Sequence, residues 1–178
     1  GVQTCALPIY MPEKTAGVGM ARKAGMDEAI RRFAMNNKDG IILSLDADCR
    51  VDSNYFTGIE KHFIDHQGTS GCSIYFEHPV EGNEYSHDVY RAIRFYELHQ
   101  RYYLQGLRYA NHPNCYHTVG SAFAVKAGHY CKEGGMNKRK AGEDFYFLQK
   151  FFDLGNFSEC NETRIIPSPR PSERVPFG

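Results

Sequence analysis

Two short acidic segments hold the residue types that could do chemistry. The first, IILSLDADCR from Ile41 to Arg50, is an apolar run that ends in two carboxylates one residue apart. Burying Ile41, Ile42, Leu43 and Leu45 is favourable, whereas an unpaired carboxylate is costly to desolvate. Asp46 and Asp48 must therefore reach the surface or meet positive charge. Side chains at i and i+2 of an extended segment share a face, so both acids can point into one pocket. Hard divalent cations take such oxygen ligands, completed by water and substrate phosphates. On its own, a D-x-D most often marks a solvated loop. The second segment, GGMNKRKAGEDF from Gly134 to Phe145, places glycines and a basic run ahead of Glu143 and Asp144. Acids in a first helical turn are favoured by the helix dipole, and one of this pair could also act as a general base. Lys138, Arg139 and Lys140 read as a solvated loop or as a loop that meets phosphate.

Spacing tests two other uses of the first segment. A calcium loop of the EF-hand type needs Asp or Asn, then Gly, then a glutamate at its twelfth position. Arg50, Val51 and Thr57 stand there instead. A phosphohydrolase with Asp46 as nucleophile is a closer rival, but its motif continues with Gly and Thr or Val, where this chain has Cys49-Arg50.

The elements that must position these residues follow from periodicity. Ala21, Gly25, Ala29 and Phe33, with Ile30, predict a helix over 17–36. Residues 41–45 predict a short strand buried on both faces. Ser53 or Asn54 could cap a helix to Asp65, with Phe56, Ile59 and Phe63 on one face. Residues 71–76 predict a strand, and 81–84 a loop. A long helix over 87–110 follows, with Val89, Ile93, Tyr96, Tyr103 and Leu107 as its stripe. Strands are expected at 121–126 and 163–166, and a helix at 143–154 stopped by Gly155. Alternation of this kind argues for an α/β domain with a largely parallel sheet, without an internal repeat or a second domain. Ligands of such sheets bind beyond the carboxyl ends of strands, where Asp46 and Asp48 lie.

Composition narrows the class. The chain has 178 residues, 42% hydrophobic and 24% charged, with a formal net charge of zero. That lacks the basic excess of a nucleic-acid binder, and no apolar run approaches the ~20 residues of a membrane span. The six cysteines are scattered without a C-x-x-C, which reads as free thiols in a reducing compartment. Residues 1–9, GVQTCALPI, have neither a charged start nor a signal-peptide core. They back-translate to a common sequencing-adapter oligonucleotide and are expected to be a translated artefact joined to residues 10–178.

Four segments in order carry a family resemblance: GVGMARKAGMDEAI from Gly17, LDADC from Leu45, TVGSAFAVK from Thr118 and GGMNKRKAGEDF from Gly134. The two acidic motifs stand about a hundred residues apart. Together these segments resemble glycosyltransferase family 2, inverting enzymes of the GT-A fold, from about Pro12 onward. The resemblance implies a mostly parallel, Rossmann-like sheet flanked by helices and incomplete at its N-terminus. It implies transfer of a sugar from a nucleoside-diphosphate sugar to a hydroxyl on a saccharide or lipid-linked acceptor, as in cell-envelope polysaccharide synthesis, at the cytoplasmic side of the membrane. Asp46 would lie against the nucleotide's ribose or base, with Arg22 nearby. Asp48 would bind Mg2+ or Mn2+ at the diphosphate. Gly120 and Ser121 would line the cleft, with Gly135 close to it. Asp144 would be the catalytic base, with Glu143 beside it. A non-catalytic nucleotide-sugar-binding domain remains an alternative, as does the phosphohydrolase.

The chain departs from the family pattern in two respects. The initial strand, helix and strand that build the base pocket are absent, so an exposed sheet edge is expected beside the DAD strand, and with it poor stability and no turnover for the polypeptide as written. The Q-x-x-R-W motif of processive synthases is missing, and there is no Trp. Among the remaining features, His62 and His66 read as surface histidines. Arg94, Arg101 and Arg108, with Glu97 between the first two, read as a salt-bridged solvent face of the long helix.

Overall fold

A computed structural model describes residues 16–171; residues 1–9, with their expected artefact, lie outside it. Along the chain come α1 (Val18–Met35), β1 (Ile41–Ser44), β2 (Arg50–Val51), α2 (Tyr55–Asp65), β3 (Gly71–Phe76), α3 (His87–Tyr109), β4 (Phe123–Lys126), α4 (Ala127–Lys132), α5 (Glu143–Phe152) and β5 (Phe157–Ile166). The fold is α/β, and the five strands form one sheet in the order β1-β4-β3-β5-β2.

The sheet is mixed, which corrects the expectation of a largely parallel one. Only the β3–β5 pairing is parallel; β1–β4, β3–β4 and β2–β5 are antiparallel. Period and length fix where a strand lies but not its direction, and here β4 runs back between β1 and β3. β1 is likewise not doubly buried. It is the end strand of the sheet among the described residues, and Ile41 and Leu43 are only half-buried. The exposed edge expected beside the DAD segment is therefore present at β1. No helix among the described residues is long and apolar enough to cross a membrane.

Alternation along the strands sends side chains to two cores. Ile42, Phe123, Val125 and Phe157 pack with Met26, Tyr130, Phe147, Leu148, Phe151 and Phe152 from α1, α4 and α5. On the opposite face Cys72, Ile74, Ala122, Ala124, Cys160 and Ile165 pack with Tyr55, Ile59 and Phe63 of α2. α1 and the loop before α5 approach closely at Gly19, where a Cβ would collide with the Arg139 carbonyl oxygen.

The helices differ from their predicted stripes in instructive ways. On α1 Met26 is buried and Ala21 exposed. On α2 the inward face is Tyr55, Gly58, Ile59, His62 and Phe63, whereas Phe56 points out. His62 is thus a core residue, not a surface one. α3 turns Tyr90, Glu97 and Leu104 inward, and Tyr103 outward. Its arginines are salt-bridged in part, as expected: Arg94 and Arg108 are exposed, and Arg101 pairs with Glu97 at 2.6 Å, but Glu97 itself is buried. Arg101 also donates to the Phe76 carbonyl at the end of β3, Arg94 donates to the Val80 carbonyl, and Arg108 grips Glu159, their long stems lying along the protein. The final strand, expected at 163–166, begins at Phe157, and the strand expected from Ser121 begins at Phe123.

Candidate active site

The end of β1 and the start of α5 meet through one arginine of α1. Arg22 Nη2 lies 2.8 Å from Asp46 Oδ1, and its Nε donates to Glu143 Oε1 at 3.2 Å. Its Nη1 donates to Ser44 Oγ at 2.8 Å, and that hydroxyl donates to the Gly120 carbonyl at 2.6 Å. Ser44 and Ile42 share a sheet face, so β1 aims its last polar side chain at α1. The Arg22 and Glu143 side chains are nearly buried, at 11% and 7% exposure, while Asp46 keeps 47%. The positive partner that Asp46 requires is thus a guanidinium of the chain itself.

Asp144 joins this group across Gly120. A Cβ at position 120 would stand 2.6 Å from Arg22 Nη2 and 3.0 Å from Asp144 Oδ2. Only a residue without a side chain lets both groups approach. Asp144 Oδ1 accepts from the Phe145 backbone N–H at 2.7 Å. Burial pushes the Asp144 carboxyl above the usual aspartate range, and the Glu143 charge beside it adds to the effect, although the Phe145 N–H and Arg22 oppose it. A carboxylate made more basic in this way is better matched to taking a proton near neutral pH.

Asp48 takes a different partner. It pairs with Arg170, from the chain that follows β5. Ser121 is buried and hydrogen-bonded with Cys49, whose thiol is pushed up by burial and further by Asp46 and Asp48. Cys49 is therefore held as a thiol beside the acids. Gly135 turns the chain after α4 with φ +72°, and its neighbours are the Tyr130 hydroxyl and the Lys150 ammonium, not the Arg22 group. Of the basic run, Arg139 stacks on the Tyr146 ring at 3.7 Å. Gly142, at φ +64°, begins α5, and Asn137 Nδ2 donates to the Glu143 carbonyl at 2.7 Å, which fixes that helix start.

The structure thus brings together Arg22, Asp46, Gly120, Glu143 and Asp144, with Ser121 and Asp48 on the adjoining turn. Sequence reasoning missed Ser44 and Arg170. A buried serine closing an apolar strand was a usable signal for the first; nothing local marks the second.

The cluster's charge bears on a divalent metal. Asp46, Glu143 and Asp144 are three carboxylates around one guanidinium, so the site is net anionic and would repel a diphosphate. Oxygen donors of this kind suit Mg2+ or Mn2+, which commonly use one or two carboxylates and fill the rest of the shell with water and phosphate. Asp48, with an exposed carboxylate, fits that role once Arg170 yields. No protein-family model matches the chain, and neither the curated proteins nor the solved structures include a match to it.

Proposed function

We propose that this domain is an inverting glycosyltransferase domain that moves a sugar from a nucleoside-diphosphate sugar to a hydroxyl acceptor. The observation that supports the reading is the meeting of Asp46, just after β1, with the α5 acids around Gly120, bridged by Arg22. It sets an oxygen donor for the donor side near a desolvated carboxylate for the acceptor side.

In this reading Asp46 and Arg22 contact the nucleotide at the end of β1. Gly120 and Ser121 form a floor without bulk, where the sugar can lie against the backbone. Asp144 accepts the proton of the acceptor hydroxyl as the hydroxyl attacks the anomeric carbon. A single displacement inverts the configuration, and base catalysis of this kind contributes ~10²–10⁴-fold. Glu143, held by Arg22, keeps α5 in place and keeps Asp144 basic. A divalent metal bound at Asp48 would offset the charge that grows on the leaving diphosphate.

A panel of nucleotide sugars, titrated with and without Mn2+, tests the proposal. Metal-dependent binding of at least one donor is expected. Asp144→Asn should stop transfer to an acceptor while sparing donor binding, and Asp48→Asn should weaken donor binding. Retention of transfer in Asp144→Asn would refute the assignment. Phosphate release from an aryl phosphate, with an acyl-phosphate trapped on Asp46, would favour the hydrolase instead.

A further inference from the structure

On the opposite face of the sheet from Arg22, three side chains capable of binding metal converge beneath α2. A nitrogen of His62, Cys160 Sγ and a Glu162 oxygen all lie within 4.8 Å of one another. His62 and Cys160 are buried, and Glu162 reaches the surface. The residues come from separate elements: His62 from the inward face of α2, the other two from β5 where its register against β3 slips beyond Cys160.

The histidine is set up as a ligand. Its Nε2 is 2.9 Å from Ser158 Oγ, which itself lies 2.8 Å from Thr69 Oγ1 and 3.4 Å from the Gly71 carbonyl. An Nε2–H donated to Ser158 leaves Nδ1 with its lone pair. That Nδ1 is fully buried and makes no well-aligned hydrogen bond; its polar neighbour is Glu162 Oε2, an ion-pair contact at 3.3 Å. Metal-bound histidines characteristically donate their other ring N–H in this way. A buried polar atom without a partner is costly, and a cation between Nδ1, Cys160 and Glu162 would satisfy it.

Cys160 Sγ is buried beside the Glu162 carboxylate, in the same core as the buried Cys72 of β3.

We propose that His62 Nδ1, Cys160 Sγ and the Glu162 carboxylate bind a zinc-type divalent cation, with water in the fourth position. One nitrogen, one thiolate and one carboxylate suit a borderline-soft ion and not Mg2+ or Mn2+. Donor atoms around tetrahedral zinc stand about 3.3–3.7 Å apart, given bonds of about 2.0–2.3 Å, so the group needs only a small closure. Binding replaces the Cys160 thiol proton with the metal and releases that proton to solvent. The cation clips α2 to the irregular part of β5. This site is independent of the sugar-transfer reading, since none of its ligands belongs to the Arg22 group.

The test uses the full chain, stripped of metal by a chelator, with Zn2+ and Co2+ as probes. One Co2+ per chain is expected, with a thiolate-to-cobalt charge-transfer band and the visible spectrum of tetrahedral coordination. About one proton should be released per metal at neutral pH, and saturating Zn2+ should raise the melting temperature. Cys160→Ser should abolish the charge-transfer band, and Ser158→Ala should weaken zinc binding by ~10–100-fold. Cys131→Ser, at an exposed thiol, should change nothing. Should Cys160→Ser fail to fold, Glu162→Gln at the surface carries the test: a tenfold or greater loss of zinc affinity is expected, with unchanged far-ultraviolet circular dichroism. Unaltered affinity in folded Glu162→Gln, persistence of the band in Cys160→Ser, or no metal uptake by the folded chain would overturn the site.

Discussion

The two faces of the sheet handle buried polar groups in opposite ways. Toward α1 and α5, carboxylates enter an aromatic-rich core only with a guanidinium between them, at the end of β1 where water reaches Asp46. Toward α2, the polar groups deep among isoleucines and thiols are neutral: His62, Ser158, Thr69 and Cys72. Burying a charge demands compensation, while burying a neutral donor demands only a hydrogen bond. The charged face is therefore fragile to the loss of one residue, and the neutral face is tolerant.

The largest effect should come from Arg22→Met. It strands Glu143 uncompensated, and loss of one member of a buried ion pair costs about 3–5 kcal/mol. In the metal-free protein, His62→Leu should cost far less, about 1–2 kcal/mol, since it removes a neutral ring with one hydrogen bond. Urea unfolding of the two variants measures the contrast, and equal losses would break it.

The next effect is a pH dependence. His117 lies against Phe76, and burial, with Arg101 and Arg108 adding to it, pushes its pKa from 6.5 down to about 4. Between those values the unfolded chain binds more protons than the folded one, so stability falls as pH drops from about 6.5 to about 4. Because the ring keeps partial contact with water, the loss is about 1–2 kcal/mol, less than the bare shift implies. His117→Gln should flatten that limb of the stability curve. It would also show that a single neutral group outside the Arg22 cluster can dominate acid sensitivity.

Gly120→Ala should follow. Its Cβ meets Arg22 and Asp144, and a comparable overpacked site costs about 1–3 kcal/mol. Transfer activity should suffer as well as folding, because the clash displaces Arg22 first and crowds Asp144 beside it. A smaller and purely directional effect concerns Asp144 itself: the acidic limb of the pH–rate profile should sit above the ordinary aspartate range. Glu143→Gln should lower it, because the neighbouring charge helps to raise the Asp144 pKa. The least effect is expected of Arg170→Ala. Its pair with Asp48 is exposed, so Mn2+ binding should tighten by no more than about fivefold.

Much of this arrangement was legible in the residues. Repeats of three and four marked α1, α2, α3 and α5, and apolar runs marked β1 and β3. The acidic segments fell at a strand end and a helix start, as their composition implied. Strand direction was not legible, because β4 pairs with two strands far from it in sequence. Nor were β2, two residues long, and α4, six residues long, since neither spans enough chain to show a period. On α3 the expected stripe is half-buried except for Tyr103, which points out; the fully buried line of Tyr90, Glu97 and Leu104 was missed because a glutamate stands at its centre. His62 was within reach: it stands seven residues after Tyr55 and three after Ile59, on the helical face those two define.

Among the described residues β1 pairs on one side only, with β4. In an antiparallel ladder alternate residues turn their N–H groups away from the partner, so part of the Ile41–Ser44 backbone should trade hydrogen for deuterium well ahead of β3. Asp46 thus follows directly from an edge rung of the sheet. A ligand that settles on Asp46 should announce itself as slowed isotope exchange along that rung before any change is visible elsewhere.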